Sequence, residues 1–180
     1  MCCFSFSSGY CLFHESERHQ EKRSATSGSG HQPSLLAKAL KCQFVDSDLE
    51  IQKRESALLR EILTSRGFLE LRAIEEKVLL NIPLKNSVLA TGGSAIYSAK
   101  AMKRLKAETD VVYLKTPLEL IKARVGDFTQ RGIAAPENST VESLAAERTD
   151  LYEKYADLEV CTSEKKPSTI SEEIIEKLFS

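Results

Sequence analysis

Apolar positions along the chain form short runs that alternate with longer amphipathic stretches. Runs with the length of buried strands lie at residues 42–45, 88–90, 111–114 and 158–161. Between the first two runs, apolar residues recur at helical spacing on both sides of Gly67, at Leu58, Leu59, Ile62, Leu63, Leu71, Ile74 and Val78. Strands that alternate with helices predict an α/β fold with a doubly wound parallel sheet.

Capping residues and one long connection complete this outline. Thr116 and Pro117 are suited to the cap and first turn of a further helix, and Thr169 with Glu172 has the spacing of a capping box for the last helix. Residues 126–140 contain glycine, proline and asparagine and few apolar positions. A connection of this length in such a fold is typical of a lid over a ligand site.

The N-terminal part of the chain has a different composition. Residues 14–34 combine charged residues with serine, glycine and proline and show no apolar periodicity. We therefore predict an irregular tail and linker over residues 1–33 and one domain over residues 34–180. Residues 2–6 and 10–13 are apolar enough to form a strand. We expect both segments to be loose, because neither is joined to the following helix by a loop of suitable length.

The charge and cysteine content indicate which binding partners and which cellular compartment to expect. The formal net charge is −1 with 28% charged residues, which argues against general affinity for nucleic acid or membranes, and no apolar run could span a bilayer. The five cysteines lack metal-ligand spacing, and their odd number, with three in the N-terminal tail, predicts reduced thiols in the cytoplasm. The serine-rich N-terminus with basic residues is typical of organelle import, but Glu15, Glu17 and Glu21 argue against it.

Two clusters of charged residues follow the first predicted strand. Asp46 and Asp48 stand where that strand ends, a position from which carboxylates can hold a magnesium ion or accept a substrate proton. Arg72 and Glu75 are three residues apart and therefore share a helix face. The guanidinium can bind a carboxylate through two hydrogen bonds while the glutamate orients it. These residues predict a site for a small anionic alcohol.

Two more clusters lie further along the chain. Gly92 and Gly93 form a turn after the second predicted strand, and their backbone can approach a ligand closely. Arg148 lies in a charged helix and is preceded by Arg124 and Arg131. Cations around a transferred phosphoryl group are a main source of catalysis in kinases, so these arginines are suited to phosphoryl transfer.

In this order and spacing, the four clusters resemble the shikimate kinase family over roughly residues 35–178. That family shows Asp-x-Asp after its second strand, Gly-Glu-x-x-Phe-Arg-x-x-Glu, a Gly-Gly-Gly turn, a lid with an arginine, and an Arg-x-x-Leu-Tyr helix. The resemblance implies a P-loop kinase fold and transfer of phosphate from ATP, with Mg²⁺, to shikimate in aromatic amino acid synthesis. We expect a monomer.

The resemblance also implies a role for individual residues on the acceptor side. Asp48 would contact the shikimate hydroxyls and serve as the base, and Arg72 and Arg148 would hold the shikimate carboxylate. The substrate-binding residues implied are Asp48, Arg72, Glu75, Gly92, Gly93 and Arg148. Phe68 stands where the family has a glutamate and Ser94 replaces the third turn glycine, so the identity of the alcohol stays open.

On the donor side, the resemblance implies that Asp46 lies near the magnesium ion, that the lid arginine Arg131 meets the transferring phosphate, and that Arg124 packs on adenine. The family's phosphate loop, Gly-x-x-x-x-Gly-Lys-Ser/Thr, has only Gly28 and Gly30 as counterparts here. Aligning from Asp46 puts Ser29 at the lysine position, and aligning on the two glycines puts His31 there, so neither alignment places a lysine in the loop. Pro33 has no backbone N–H, so the loop also has one fewer amide to direct at phosphate. We therefore predict that the first central strand and the phosphate-binding lysine are missing.

Each cluster also has a simpler structural interpretation. Asp46 and Asp48 could cap a helix, Arg72 and Glu75 could be an exposed ion pair, and Arg148 could lie on a solvated helix face. Alternatives to an active kinase are also open. The chain could be a non-catalytic shikimate-binding relative, an incomplete gene product, or a kinase for another hydroxy acid or a nucleoside monophosphate.

Overall fold

A five-stranded sheet runs through the computed structural model, which describes residues 10–14, 32–125, 133–136, 139–163 and 165–180. The strands are β1 Tyr10–His14, β2 Gln43–Asp46, β3 Ser87–Ala90, β4 Asp110–Lys115 and β5 Leu158–Cys161. Their order across the sheet is β2-β3-β1-β4-β5. β2 is parallel to β3, and β4 is parallel to β5. The strands predicted from the apolar runs are thereby confirmed to within one residue at each end.

Helices cover both faces of this sheet, as expected for a doubly wound fold. They are α1 Gln32–Ala39, α2 Ser47–Glu55, α3 Leu59–Leu79, α4 Ala99–Glu108, α5 Leu118–Val125, α6 Val141–Tyr155 and α7 Pro167–Phe179, with a short 3₁₀ turn at Ala95–Tyr97. Gly67 interrupts α3 with φ +81° and ψ 170°, a backbone conformation that favours glycine. The break that the sequence predicts at this residue is therefore confirmed.

Alternating side chains of β4 pack against the helices on the two faces of the sheet. Val111 and Tyr113 face the larger core, which contains residues of α3 and α4. Val112 and Leu114 face the smaller core, which contains residues of α1 and α7. Burial of each such aliphatic side chain stabilises the fold by about 1.5–3 kcal/mol. The sheet is thus anchored from both sides.

β1 corrects the expectation of a loose N-terminal segment. Tyr10–His14 lies in the middle of the sheet, where it pairs with β3 and with β4. Both pairings are antiparallel, although the neighbouring strands on each side are parallel pairs. The central position is therefore filled, but by a strand of reversed direction. Unpaired backbone groups between β3 and β4 would be costly, which is why an apolar segment is recruited.

The strand directions define one edge of the sheet at which the carboxyl ends of β2, β3, β4 and β5 meet, and this edge is called the pocket edge below. β1 runs the opposite way, so Tyr10 lies at the pocket edge and His14, which pairs with Ser87, lies at the far edge. Among the described residues, no helix is both long enough and apolar enough to cross a membrane.

Candidate functional site

The ends of β2 and β3 are tied together at the pocket edge. Ser47, the first residue of α2, is fully buried, and its Oγ accepts a hydrogen bond of 3.1 Å from the amide of Gly92. A Cβ atom placed on Gly92 would lie 2.7 Å from Oε1 of Glu75 and 3.0 Å from Oδ1 of Asp48. The structure therefore brings Asp48, Glu75 and Gly92 together, and only glycine fits between the two carboxylates.

Asp46 lies beside this group and caps α2. Its Oδ1 accepts hydrogen bonds from the amides of Asp48, at 2.9 Å, and Leu49, at 3.4 Å. Both recorded bonds use the same carboxylate oxygen. The helix-capping interpretation therefore holds for Asp46. Within the described part of the chain, no cluster of three His, Cys, Asp or Glu side chains could hold a metal ion.

Arg72 and Arg148 converge on a single backbone oxygen. Nη2 of Arg72 donates to the carbonyl of Ala134 at 3.1 Å, and Nη2 of Arg148 donates to the same carbonyl at 3.2 Å. Arg148 is only 2% exposed, so the interpretation as a solvated helix face does not hold for it. Nε of Arg72 is buried and has no hydrogen-bond partner in the described part of the chain.

Glu75 is bonded to a hydroxyl rather than to Arg72. Ser94 Oγ donates to Oε2 of Glu75 at 2.5 Å, whereas the sequence suggested that this glutamate orients the arginine. Glu75 is 3% exposed, and burial raises the pKa of its carboxyl, against the opposing effects of Ser94, Arg148 and Arg72. Burial also lowers the pKa of Arg72. The pocket thus carries two cations around one carboxyl that resists ionisation.

Two tyrosines to which the sequence analysis assigned no role support the same site. Tyr97 lies between the two arginines, with its ring centre 3.7 Å from Cζ of Arg72. Tyr152 is buried, and its hydroxyl donates to the carbonyl of Gly93 at 2.9 Å. Tyr97 stands three residues beyond the Ser94 turn, and this closeness in sequence is the one signal that could have singled it out.

A cavity of about 320 Å³ opens next to these residues. It lies at the carboxyl ends of β4 and β5, and its lining includes Thr116, Pro117, Cys161, Arg148 and Tyr152. Tyr152 lines the cavity and also bonds to Gly93, so its side chain connects the cavity with the Gly92–Gly93 turn. Space outside the carboxyl ends of strands is where open α/β folds bind their ligands.

The structure does not describe the side chains of several residues that the resemblance assigns to the donor side. Gly28, Gly30 and Arg131 lie outside the described residues. Arg124 belongs to α5, but its side chain lies outside them too. The acceptor-side residues Asp48, Arg72, Glu75, Gly92, Gly93 and Arg148 are all described and gathered at the pocket edge.

Comparison with known proteins finds one family. A family model described as shikimate kinase matches residues 29–179. Shikimate kinase of Wigglesworthia glossinidia brevipalpis is 38% identical over 148 residues, which cover 80% of this chain and 86% of that relative. Shikimate kinase 1 of Sodalis glossinidius is 37% identical over 149 residues, which cover 81% of this chain and 86% of that relative.

Solved structures agree with the sequence comparison. The crystal structure of shikimate kinase from Aquifex aeolicus matches with a TM-score of 0.70 at 32% identity, covering 81% of this chain and 86% of that one. The Acinetobacter baumannii shikimate kinase, solved in complex with shikimate, matches with a TM-score of 0.72 at 30% identity, covering 81% and 83%.

Proposed function

Because the chain belongs to the shikimate kinase family, we propose that it is a shikimate kinase-like phosphotransferase that converts ATP and shikimate to ADP and shikimate 3-phosphate. The observation that carries the proposal is the convergence of Arg72 and Arg148 on one carbonyl oxygen. Two guanidiniums directed at one oxygen are suited to a carboxylate, and shikimate carries one.

On the acceptor side, the described contacts support a division of roles. The carboxylate of shikimate takes the position of the Ala134 carbonyl as the shared acceptor of Arg72 and Arg148, and it can also pair with the unsatisfied Nε of Arg72. Asp48 lies across Gly92 from Glu75. It accepts the proton of the attacking hydroxyl. The ring packs on the Gly92–Gly93 backbone, beside the carboxylates of Asp48 and Glu75.

On the donor side, ATP supplies the phosphoryl group, and we propose that Arg124, Arg131, Gly28 and Gly30 contact it. Asp46 uses Oδ1 for its cap bonds, which leaves Oδ2 for a magnesium ion or a water bound to it. Magnesium usually takes one or two protein carboxylates and completes its shell with water and phosphate oxygens, so a single carboxylate fits it. The cavity at the ends of β4 and β5 offers space for part of the nucleotide.

One observation favours a second candidate, a shikimate-binding protein without catalysis. In P-loop folds a strand leads directly into the phosphate loop and the following helix. Here the strand before α1 is reversed, so it ends at the far edge of the sheet. The chain also lacks the loop lysine. We therefore expect turnover at least about a hundredfold below that of an ordinary small-molecule kinase, the scale of losing one transition-state donor.

Separate titrations with shikimate and with ATP, followed by a steady-state assay, distinguish these functions. Binding of both ligands with slow turnover supports the impaired kinase. Binding of shikimate alone supports the non-catalytic relative, and binding of ATP alone points to another acceptor. Binding of neither overturns both functions, and ordinary turnover of several per second overturns the predicted weakness. Arg60→Ala, an exposed position on α3, serves as the control for variants of Arg72.

We also propose that the protein works as a cytoplasmic monomer in aromatic amino acid synthesis. The family and the unpaired arrangement of its described cysteines, Cys42 and Cys161, support this view. Sedimentation at several protein concentrations tests the monomer, and a fluorescent fusion followed in cells tests the compartment.

A further inference from the structure

Tyr97 occupies an unusual place at the acceptor site. It is the last residue of the 3₁₀ turn Ala95–Tyr97, which follows the Gly92–Gly93 turn. Its ring centre lies 3.7 Å from Cζ of Arg72 and 5.6 Å from Cζ of Arg148. Its hydroxyl oxygen accepts a hydrogen bond of 3.3 Å from Nε of Arg148. One side chain therefore contacts both guanidiniums.

We propose that Tyr97 is a positioning and specificity-determining residue, which holds Arg72 and Arg148 together as one receptor for the carboxylate of the acceptor substrate. This inference rests on the proposed function, because it concerns the same pocket. It goes beyond that function by assigning the requirement for a carboxylate to a residue that does not itself contact the carboxylate.

The electrostatic reason is the repulsion between the two cations. Arg148 disfavours the charged form of Arg72, and burial does so more strongly. An aromatic face attracts a cation placed over it, by about 0.5–2 kcal/mol depending on desolvation. Burial also raises the pKa of Tyr97, so its hydroxyl stays neutral and can accept from Arg148. The ring thus favours two charged guanidiniums at short separation.

The hydrogen bonds of Arg72 support the same conclusion. Its Nη2 is bonded to the carbonyl of Ala134, while its buried Nε has no partner among the described residues. With one face of the guanidinium on Tyr97, the group cannot rotate freely to satisfy Nε elsewhere. The unsatisfied donor therefore stays available for a second oxygen on the ligand, as a carboxylate would supply.

Neighbouring serines fix Tyr97 in place. Ser94 donates to Glu75 at 2.5 Å, and Ser98 donates to Glu76 at 2.5 Å. Ser98 also accepts from the amide of Ala101 and so caps α4. Both ends of the segment 94–98 are therefore bonded to α3, the helix that carries Arg72. The backbone of Tyr97 therefore cannot move away from α3 without breaking these bonds.

The test compares Tyr97→Leu and Tyr97→Phe with Tyr155→Leu, a matched loss of a half-buried tyrosine on α6. The probes are shikimate and its methyl ester, which keeps the ring and hydroxyls but lacks the negative charge. Binding is measured by titration, and thermal unfolding of each variant is recorded. If Tyr97 had a purely structural role, its substitution would weaken the binding of both probes to the same extent.

We expect Tyr97→Leu to lower the affinity for shikimate about tenfold, the effect of losing a cation–π contact, and to change that for the ester less than about twofold. Tyr97→Phe keeps the ring and should lower the affinity for shikimate about two- to fivefold, because it removes the hydroxyl that accepts from Arg148 and is also hydrogen-bonded to Glu147. Tyr155→Leu should leave the preference for shikimate over the ester unchanged.

An unchanged preference in Tyr97→Leu, with wild-type binding of shikimate intact, overturns this inference and leaves the proposed function standing. Failure of the wild-type protein to bind shikimate overturns both. If Tyr97→Leu does not fold, Tyr97→Phe decides the matter, and an unchanged preference in that variant overturns the inference equally.

Discussion

Ser94 donates a hydrogen bond of 2.5 Å to the carboxyl of Glu75, and it does so inside the protein, where Glu75 is 3% exposed. The bond joins the turn after β3 to the middle of α3. It also explains how a carboxyl can be kept at the centre of the pocket, because a buried polar group without a partner would cost about 1–3 kcal/mol.

Glu75→Gln should make the stability of the protein less sensitive to rising pH. Burial raises the pKa of Glu75 above its usual 4.5. The folded state therefore holds a proton that the unfolded state releases, so wild-type stability falls as pH rises from 4.5 through the raised pKa. The glutamine variant lacks this titration, and its Oε1 can still accept from Ser94.

Urea unfolding between about pH 4.5 and 8 measures this difference. The free energy of unfolding should fall with pH more steeply in the wild type than in Glu75→Gln. Glu70→Gln, an exposed change on the same helix, should follow the wild type. Parallel pH profiles for the wild type and Glu75→Gln would contradict the assignment.

Arg72→Ala and Arg148→Ala should each weaken shikimate binding by about 1.5–3 kcal/mol, the scale of a charge-assisted hydrogen bond. Lysine at either position should restore little, because a point charge cannot reproduce a planar fork. Titration with shikimate checks both changes against Arg60→Ala. Wild-type affinity in both alanine variants would remove these arginines from the binding site.

Gly92→Ala and Gly67→Ala should both destabilise the protein, but for different reasons. A Cβ on Gly92 would lie 2.7 Å from Oε1 of Glu75, and overpacking of this kind costs about 1–3 kcal/mol. Shikimate binding should be lost with it, since Asp48 is displaced too. Gly67 has open space around it but a φ of +81°, so alanine there should cost about 1–2 kcal/mol through backbone strain.

Calorimetric unfolding and shikimate titration of the two glycine variants separate the effects. Stability should fall in both variants, whereas Gly92→Ala should lose more affinity for shikimate than Gly67→Ala. Full shikimate affinity in Gly92→Ala would show that the ligand does not pack on this turn.

Leu12→Pro should destabilise the whole sheet by about 1–3 kcal/mol, because proline removes a donor from a strand paired on both sides. Leu12→Ile, which keeps the amide, is the control. Urea unfolding measures the change, and hydrogen exchange should show protected amides at Tyr10–His14 in the wild type. Rapid exchange throughout this strand would contradict its central position.

Much of the fold could be predicted because its signals are local. Apolar runs located four strands, and Gly67 marked the break in α3. Asp48 and Gly92 could be grouped because the carboxyl ends of β2 and β3 meet at one edge of a parallel sheet. Arg72 lies in the middle of α3, and only the family resemblance placed it with them. The start of α7 was predicted too late, at Thr169. The helix begins at Pro167, whose fixed φ already suits a first turn.

The remainder depends on pairings between distant parts of the chain. Nothing in residues 10–14 specifies which neighbours the strand joins or in which direction, because apolar strands of this kind pair either way. The contacts of Ser94 and Tyr97 depend on the relative placement of α3 and the turn after β3. Sequence spacing predicts neighbours within one helix, but it does not predict contacts between elements.

The reversed strand has a consequence for how the molecule reaches this structure. β3 and β4 do not pair with each other, and each pairs with β1 instead. The two halves of the sheet, β2 with β3 and β4 with β5, can therefore form independently, each from strands that are closer in sequence than β1 is to β3 or to β4. Joining them requires residues 10–14 to pair with residues 87–90 and 110–113. Such distant pairing forms slowly, so we expect closure of the sheet by its N-terminal strand to be the last and slowest step of folding.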